Sequence, residues 1–216
     1  MNKFKYINRH HKKDLVLLPG WATDHRVFER LDKEYNYIVP VDFDPYTFAY
    51  DLVQYLQDNG FKKVSVYGWS LGGFCGADFA VRYPYAVDEV ILVGVKEKYD
   101  TDGITRVKKL LSENKKAYLY KFYRDCFFAK DKESYLWFKE NLMKDYLDVF
   151  SDERLIKGLD YFLKTPLDIK KLAGMKVRLV YGAADKIVPA AEIMSLKGKI
   201  PSVELDLIDG RGHFVF

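Results

Sequence analysis

Hydrophobic and polar positions along the chain form blocks that predict strands and helices in alternation. Short β-branched runs, each stopped by glycine, proline or a polar residue, are typical of buried strands. Helical blocks lie between them, as from Tyr46 to Asn59, where apolar residues recur three and four positions apart and Gly60 supplies the stop. The predicted strands cover residues 4–7, 14–18, 37–41, 64–67, 89–93, 177–181 and 203–208.

The alternation stops after Gly94 and resumes at Val177. Residues 96–165 contain no strand-like run, and their amphipathic, aromatic-rich patterns predict helices. Strands that alternate with helices predict a mostly parallel sheet with helices on both faces. We therefore expect an α/β core made of residues 1–95 and 176–216, with residues 96–175 inserted between two strands as a helical lid.

Composition narrows the class of protein. A chain of 216 residues fits one domain with an insertion, and a net charge of +4 favours nucleic-acid binding only if the excess is concentrated in one patch. Cys75 and Cys126 lie far apart without a partner motif, which indicates buried packing residues in a reducing compartment. The sequence contains no long apolar run, which argues against both a signal peptide and a membrane span. We expect a cytoplasmic protein that binds neither nucleic acid nor a membrane.

The run Gly68-Trp69-Ser70-Leu71-Gly72 is a Gly-x-Ser-x-Gly motif between a predicted strand and a predicted helix. A turn that lifts a serine hydroxyl above the end of a sheet brings the two flanking backbones close together. Only residues without a Cβ fit at the two glycine positions. Ser70 is therefore the candidate nucleophile.

A serine hydroxyl needs a base that removes its proton, and the base needs a carboxylate that orients it. Two of the four histidines, His10 and His11, lie in a charged amino-terminal segment, and His25 lies in the first loop of the core. His213 directly follows the last predicted strand, at the edge of the sheet where ligands bind in such folds. We predict that His213 is the base.

Asp185 lies in the turn after a predicted strand and is the candidate carboxylate. The chain order Ser70, Asp185, His213 matches the order nucleophile, acid, histidine that accompanies this motif. The alternative is that Asp185 caps the helix that follows it. Asp160 and Asp168 fall in or near the predicted lid and are weaker candidates.

A tetrahedral intermediate needs N–H donors for its oxyanion. One predicted donor is the backbone N–H of Leu71, the residue after the nucleophile, and the other is the backbone N–H of Trp21, where Gly20 allows a close approach. The indoles of Trp21 and Trp69 are candidate walls of an acyl pocket. Ordinary core packing is the alternative for both indoles.

Several of these stretches together resemble the α/β-hydrolase superfamily: Leu18-Pro19-Gly20-Trp21, Gly68-Trp69-Ser70-Leu71-Gly72-Gly73, Gly182 with Asp185 and Val188-Pro189, and Gly212-His213-Phe214. The Gly-Trp of the first loop and the Gly-Trp-Ser-Leu-Gly-Gly run are similar in particular to the pimeloyl-[acyl-carrier protein] methyl ester esterases of biotin synthesis. The resemblance covers the core and not the lid. It implies an α/β-hydrolase fold and hydrolysis of a methyl ester on a carrier-bound pimeloyl chain. It assigns Ser70 as nucleophile, His213 as base, Asp185 as orienting acid, and Trp21 and Leu71 as oxyanion donors, and we expect no metal and no cofactor.

The lid carries seven basic residues and one acid between positions 103 and 124, interleaved with aromatic residues. This pattern suits an apolar acyl chain held by Tyr118 and Phe122, with an acidic carrier protein outside. The lysines expected to contact the carrier are Lys108, Lys109, Lys115 and Lys116. The alternative is a solvated helix face.

Three departures from the superfamily pattern qualify this interpretation. Pro19 stands where a histidine usually precedes the glycine, the loop after Val41 is short, and three residues follow His213 in place of a final helix. The last departure predicts that little holds His213 in position. The hypotheses that stay open are a serine esterase, a thioesterase or lyase with the same triad, and a non-catalytic ligand-binding homologue.

Overall fold

The computed structural model describes residues 3–200 and 202–216, and in this part of the chain seven strands form one sheet in the order β1-β3-β2-β4-β5-β6-β7. β1 is antiparallel to β3, and the other neighbouring strands are parallel. The predicted α/β architecture is confirmed. The strands are β1 (Phe4–Ile7), β2 (Asp14–Leu18), β3 (Asn36–Pro40), β4 (Val64–Trp69), β5 (Val87–Val93), β6 (Val177–Gly182) and β7 (Glu204–Ile208).

Three helices follow strands of the core: α1 (Phe48–Asp58) after β3, α2 (Leu71–Arg82) after β4, and, further along the chain, α8 (Ala190–Lys199) after β6. α2 packs on β2, β4 and β5, and α1 packs on α2. The central strands β2 and β4 are buried almost throughout, because a parallel sheet is covered on both faces. Their continuous apolar runs follow from this burial.

Between β5 and β6 the chain forms the helical insertion, which we define as residues 101–172. Its elements are α3 (Thr101–Asp125), α4 (Lys132–Phe138), a π-helical turn (Lys139–Met143), α5 (Lys144–Val149), α6 (Asp152–Lys164) and α7 (Ile169–Leu172). α3 bends at Asn114, whose backbone is extended (φ −159°, ψ 90°) and whose side chain accepts a hydrogen bond from Ala117 N–H at 3.0 Å. Asn114 therefore caps a second helical segment. None of the helices in residues 3–200 and 202–216 is long and apolar enough to cross a membrane.

The insertion is attached to the loop after β2 through the side chain of Trp21. The indole Nε1–H donates to the carbonyl oxygen of Leu155 in α6 at 2.8 Å. The ring lies so close to α6 that a Cβ on Gly158 would approach Trp21 Cδ1 to 2.7 Å. A glycine at this point of α6 lets the indole pack against the helix backbone.

Two tyrosine hydroxyls of the insertion bond to the same loop. Tyr123 donates to the Ala22 carbonyl oxygen at 2.6 Å, and Tyr146 donates to Asp24 Oδ1 at 2.8 Å. Burial by itself raises the pKa of Asp24, but hydrogen bonds from Arg26 and Tyr146 outweigh burial and hold this pKa below its ordinary value of 3.8. The carboxylate is therefore a charged anchor between the core loop and α5.

Replacing Tyr146 by phenylalanine removes one donor from this partly buried carboxylate. We expect the free energy of unfolding to fall by about 1–3 kcal/mol, because the carboxylate loses a hydrogen bond that water cannot fully replace. Urea denaturation followed by circular dichroism measures the change. The control is Tyr85→Phe, since Tyr85 is 60% exposed. Equal midpoints for the two variants would contradict the anchoring role.

Candidate active site

Ser70 occupies the turn between β4 and α2 with a strained backbone. Its φ of 52° and ψ of −115° lie outside the regions that residues with a Cβ favour. The turn is held because Ser70 N–H donates to the Val93 carbonyl oxygen at 2.8 Å and the Ser70 carbonyl accepts from Gly73 N–H at 2.9 Å. Backbone bonds to two neighbouring elements thus hold the strained residue in place.

The two glycines of the motif stand where backbones touch. A Cβ on Gly68 would overlap the carbonyl of Gly72, and a Cβ on Gly72 would overlap the carbonyl of Leu18 in β2. The sequence-based reason for glycine at both positions is confirmed. This contact places the first turn of α2 directly against β2.

His213 and Asp185 form a buried pair. His213 Nδ1 lies 2.8 Å from Asp185 Oδ2, and the two side chains are 0% and 1% exposed. A carboxylate on Nδ1 favours the tautomer with its proton there, which leaves Nε2 as an acceptor. Nε2 is buried and has no hydrogen-bond partner among the described residues, so it is free to take a proton.

Asp185 bonds to the following turn as well as to the imidazole. Its Oδ1 accepts hydrogen bonds from Ile187 N–H at 2.7 Å and Val188 N–H at 2.9 Å, in the turn before α8. α8 begins at Ala190 with Pro189 as its N-cap and no side-chain capping bond, so the alternative that Asp185 caps this helix is wrong. The turn bonds fix the direction of the oxygen that faces His213.

Ser70 and His213 both contact the chain at the end of β5. Ser70 N–H bonds to Val93, and the imidazole rests on the next residue, Gly94, where a Cβ would lie 2.8 Å from His213 Cε1. Gly94 also has a φ of 58°, which favours glycine. The structure thus brings together Ser70, Asp185 and His213, which are widely separated in sequence.

The segment around His213 is held more firmly than its position in the sequence predicts. Trp69 Nε1–H donates to the His213 carbonyl oxygen at 2.8 Å, and Phe214 N–H donates to the Cys126 carbonyl oxygen at 2.9 Å. The Phe214 ring stacks on Phe127 of the insertion at 4.7 Å. The expectation that little holds His213 is therefore wrong, because aromatic packing and two hydrogen bonds hold this segment in place.

These contacts also decide the position of Trp69. Its ring packs against His213, Phe214 and Phe216, with centroid separations of 5.5 to 5.9 Å. The indole therefore does not line the cavity beside Ser70, and of the two possibilities the structure shows core packing. Trp69 therefore packs against the loop that carries His213.

A cavity of about 390 Å³ opens beside Ser70, between the core and the insertion. Three of the four predicted substrate-binding residues line it: Trp21, Tyr118 and Phe122. The Trp21 and Phe122 rings meet edge to face at 5.1 Å. The wall on this side is therefore apolar and aromatic.

Tyr99 is a residue of this cavity that the sequence reasoning missed. It lines the cavity together with Ser70, and its ring packs on Phe162 at 4.3 Å and on Phe74 at 5.8 Å. Burial raises the pKa of Tyr99 well above its ordinary value of 10, so the hydroxyl keeps its proton and can donate it in a hydrogen bond. Its place just after β5, at the edge where Ser70 lies, was the signal available in the sequence.

The predicted oxyanion donors lie at the required end of the sheet. Leu71 is the first residue of α2, where a backbone N–H has no acceptor inside the helix. The loop that carries Trp21 lies against the serine elbow, the turn formed by residues 68–72, since a Cβ on Gly20 would be 2.8 Å from Trp69 Cε3. Buried Thr23 holds this loop by donating from Oγ1 to the Gly20 carbonyl oxygen at 2.9 Å. A threonine brace therefore orders the loop that has Pro19 in place of the usual histidine.

The four lysines expected to contact a carrier are all paired with carboxylates of the insertion. Their partners are Asp160 for Lys108 (2.5 Å), Glu113 for Lys109 (3.8 Å), Asp152 for Lys115 (3.0 Å) and Asp148 for Lys116. Three of the pairs join α3 to α5 or α6. This arrangement fits the alternative of a helix face whose charges are balanced within the protein.

The remaining candidates lie away from the Ser70 site or are unsuited to it. Asp168 caps α7 by accepting from Lys171 N–H at 3.2 Å. Burial raises the pKa of the Cys75 and Cys126 thiols well above the ordinary value, so neither is poised as a thiolate. Among the described residues, no three His, Cys, Asp or Glu side chains are placed to hold a metal ion.

A mostly parallel sheet covered by helices, with a strained serine after β4 and a buried histidine–carboxylate pair, defines an α/β fold of the hydrolase type. The chain matches the alpha/beta hydrolase fold family over residues 20–216 and belongs to that family. No curated protein sequence matches the chain.

Solved structures share this fold at low sequence identity. A thermophilic esterase from Thermogutta terrifontis, solved with malate bound, has a TM-score of 0.81 and 18% identity over 98% of this chain and 85% of that chain. A bromoperoxidase from Bacillus anthracis has a TM-score of 0.78 and 21% identity over 98% and 88%. An esterase from Exiguobacterium antarcticum has a TM-score of 0.77 and 18% identity over 97% and 87%. At these sequence identities, the structural similarity establishes the shared fold alone.

Replacing Trp69 by phenylalanine deletes the N–H that bonds to His213 while it keeps an aromatic ring. We expect the free energy of unfolding to fall by about 1–3 kcal/mol, because a buried carbonyl loses its donor. We also expect slower labelling of Ser70 by a fluorophosphonate. The control is Trp137→Phe, since the Trp137 N–H makes no hydrogen bond within the part of the chain that the structure describes. Labelling at the wild-type rate would show that Trp69 does not position His213.

Proposed function

We propose that the protein is a serine carboxylesterase that cleaves an acyl ester through an acyl-enzyme. The observation that carries the proposal is the buried Asp185–His213 pair, with Nδ1 and Oδ2 2.8 Å apart, next to the strained elbow of Ser70. Such a pair supplies the oriented base that a serine nucleophile requires. An α/β-hydrolase fold agrees with this chemistry.

In the first half of the reaction, His213 Nε2 removes the Ser70 proton as Oγ attacks the ester carbonyl carbon. The imidazolium that forms is stabilised by the Asp185 carboxylate at Nδ1. The tetrahedral oxyanion accepts hydrogen bonds from the N–H groups of Leu71 and Trp21, and each such donor is worth about 3–4 kcal/mol. His213 then returns the proton to the departing alkoxide, which leaves as an alcohol.

In the second half, water attacks the acyl-enzyme with the same proton movements. His213 takes a proton from the water, the second tetrahedral intermediate collapses, and Ser70 recovers its proton from the imidazolium. The carboxylic acid product is released as its anion. Since the imidazole and carboxylate are buried, their interaction is stronger than it would be in water.

The finer proposal for the substrate is the methyl ester of a pimeloyl chain on acyl-carrier protein. It rests on the Gly-Trp of the first loop and the Gly-Trp-Ser-Leu-Gly-Gly run, together with the apolar cavity walls at Tyr118 and Phe122. Carrier docking on α3 has weaker support, because the lysines proposed for it already bind carboxylates of the insertion. The apolar acyl chain is thus better supported than the carrier.

Ser70→Ala tests the proposed chemistry. We expect hydrolysis of p-nitrophenyl butyrate to fall by at least about 10³-fold, because loss of the nucleophile removes the acyl-enzyme route. The control is Ser112→Ala on α3. If the wild-type protein neither turns over esters nor reacts with a fluorophosphonate, the non-catalytic alternative replaces the esterase. The finer proposal is then tested by comparing the rate of hydrolysis of methyl pimeloyl-carrier protein with the rates for other esters on the same carrier.

Tyr99→Phe tests whether the hydroxyl beside Ser70 assists the reaction. A donor at this position can stabilise charge on the attacking serine or the departing alkoxide, so we expect kcat to fall about tenfold with KM nearly unchanged. Steady-state kinetics with p-nitrophenyl butyrate separate the two constants. The control is Tyr120→Phe, since Tyr120 is 41% exposed. A change in KM alone would assign Tyr99 to the cavity wall instead.

A further inference from the structure

We propose that Lys96 and Lys186 form an anion-binding subsite at the cavity beside Ser70, and that the substrate carries a carboxylate or phosphate close to its scissile ester. This inference rests on the proposed esterase function and adds the class of ester to it. The α3 lysines expected from the sequence to bind an acidic carrier take no part in it.

Both lysines lie in loops that follow strands, at the edge of the sheet where Ser70 lies. Lys96 comes three residues after β5, and Lys186 directly follows Asp185 in the loop after β6. β5 and β6 are neighbours in the sheet, and both lysines line the cavity that Ser70 lines. The two ammonium groups therefore belong to the same edge of the sheet as the reacting hydroxyl.

Lys96 lies against a ring of the cavity wall. Its Nζ lies 4.4 Å from the centroid of the Tyr99 ring, and Tyr99 lines the cavity beside Ser70. An anion held by Lys96 would therefore lie in the cavity that contains the Ser70 hydroxyl.

The cavity wall carries more positive than negative charge. Five charged side chains line it: Asp125 pairs with Lys121 at 2.5 Å, and Asp100 caps α3 by accepting from Gly103 N–H at 2.6 Å. Lys96 and Lys186 form no ion pair in residues 3–200 and 202–216, although the charge of Lys96 helps to lower the pKa of Asp100. Three lysines against two aspartates leave a formal excess of one positive charge, which an anionic ligand can neutralise.

The surroundings favour recognition of a charge. Aromatic and aliphatic side chains form much of the remaining wall, among them Phe122, Leu159 and Phe162, and they lower the local dielectric constant. Lysine ammonium groups are point charges that donate hydrogen bonds to carboxylate or phosphate oxygens without a fixed geometry. Lys98 also forms no ion pair with the residues that the structure describes, but it does not line this cavity and provides a matched control.

Matched pairs of esters test the subsite and the position of the anion. Monomethyl adipate carries a carboxylate on the acyl side and is compared with dimethyl adipate. 1-Butyrylglycerol 3-phosphate carries a phosphate on the alcohol side and is compared with 1-butyrylglycerol. We expect the wild type to prefer the charged member of at least one pair by about tenfold in kcat/KM, an effect that two partly solvated ion pairs can supply. The preferred pair identifies the side on which the anion lies.

The double variant Lys96→Gln/Lys186→Gln should abolish most of that preference, because KM rises for the charged esters and not for the neutral ones. Lys98→Gln should leave the preference unchanged, and added salt should reduce it in the wild type. Equal losses on charged and neutral esters, or the same effect in Lys98→Gln, would overturn the subsite. So would a wild type that treats both members of each pair alike.

Binding separates failure of the subsite from failure of the esterase. Isothermal titration calorimetry of monomethyl adipate with Ser70→Ala should show affinity that drops about tenfold when both lysines are replaced by glutamine. Lysine-dependent binding without any ester hydrolysis by the wild type would retain the subsite and refute the proposed reaction. Hydrolysis of neutral esters with no lysine-dependent binding of either anion would retain the reaction and refute the subsite.

Discussion

The contact between the backbones of α2 and β2 is the constraint on which the site depends. Gly72 touches the carbonyl of Leu18, and Gly68 touches the carbonyl of Gly72, so the helix can begin only directly above the strand ends. This packing forces Ser70 into its strained conformation (φ 52°), and bonds to Val93 and Gly73 hold it there. A larger residue at either glycine would push the helix away and take the nucleophile and the Leu71 N–H with it.

The same principle positions the histidine. Gly94 lets the imidazole lie on the end of β5, and Gly182 lets the loop before His213 pass directly over the end of β6, where a Cβ would overlap the carbonyl of Gly212. Trp69 then connects the two halves, because it follows Gly68 in the elbow and donates its indole N–H to the His213 carbonyl oxygen. Backbone contacts and one indole thus hold Ser70 and His213 in position.

The insertion completes the site from above. Its attachments at Trp21, Tyr123 and Tyr146 join it to the loop after β2. The lysines of α3 contribute to the packing of the insertion through their carboxylate partners. Lys96 and Lys186 line the cavity beside Ser70 and form no ion pair with the described residues, which is the basis for the proposed anionic substrate.

The sequence by itself determined the strands and core helices, the serine elbow with its glycines, and the candidates Ser70, Asp185 and His213. These features depend on local rules, namely the period of apolar residues, the need for glycine at close backbone contacts, and the chain order of nucleophile, acid and base. Only the tertiary structure decided that Trp69 faces the histidine loop, that Thr23 braces the loop after Pro19, and that Tyr99 lines the cavity beside Ser70. It also decided which lysines are paired. Each of these depends on which segments meet in space, and no local pattern encodes the partner that a side chain finds across the fold.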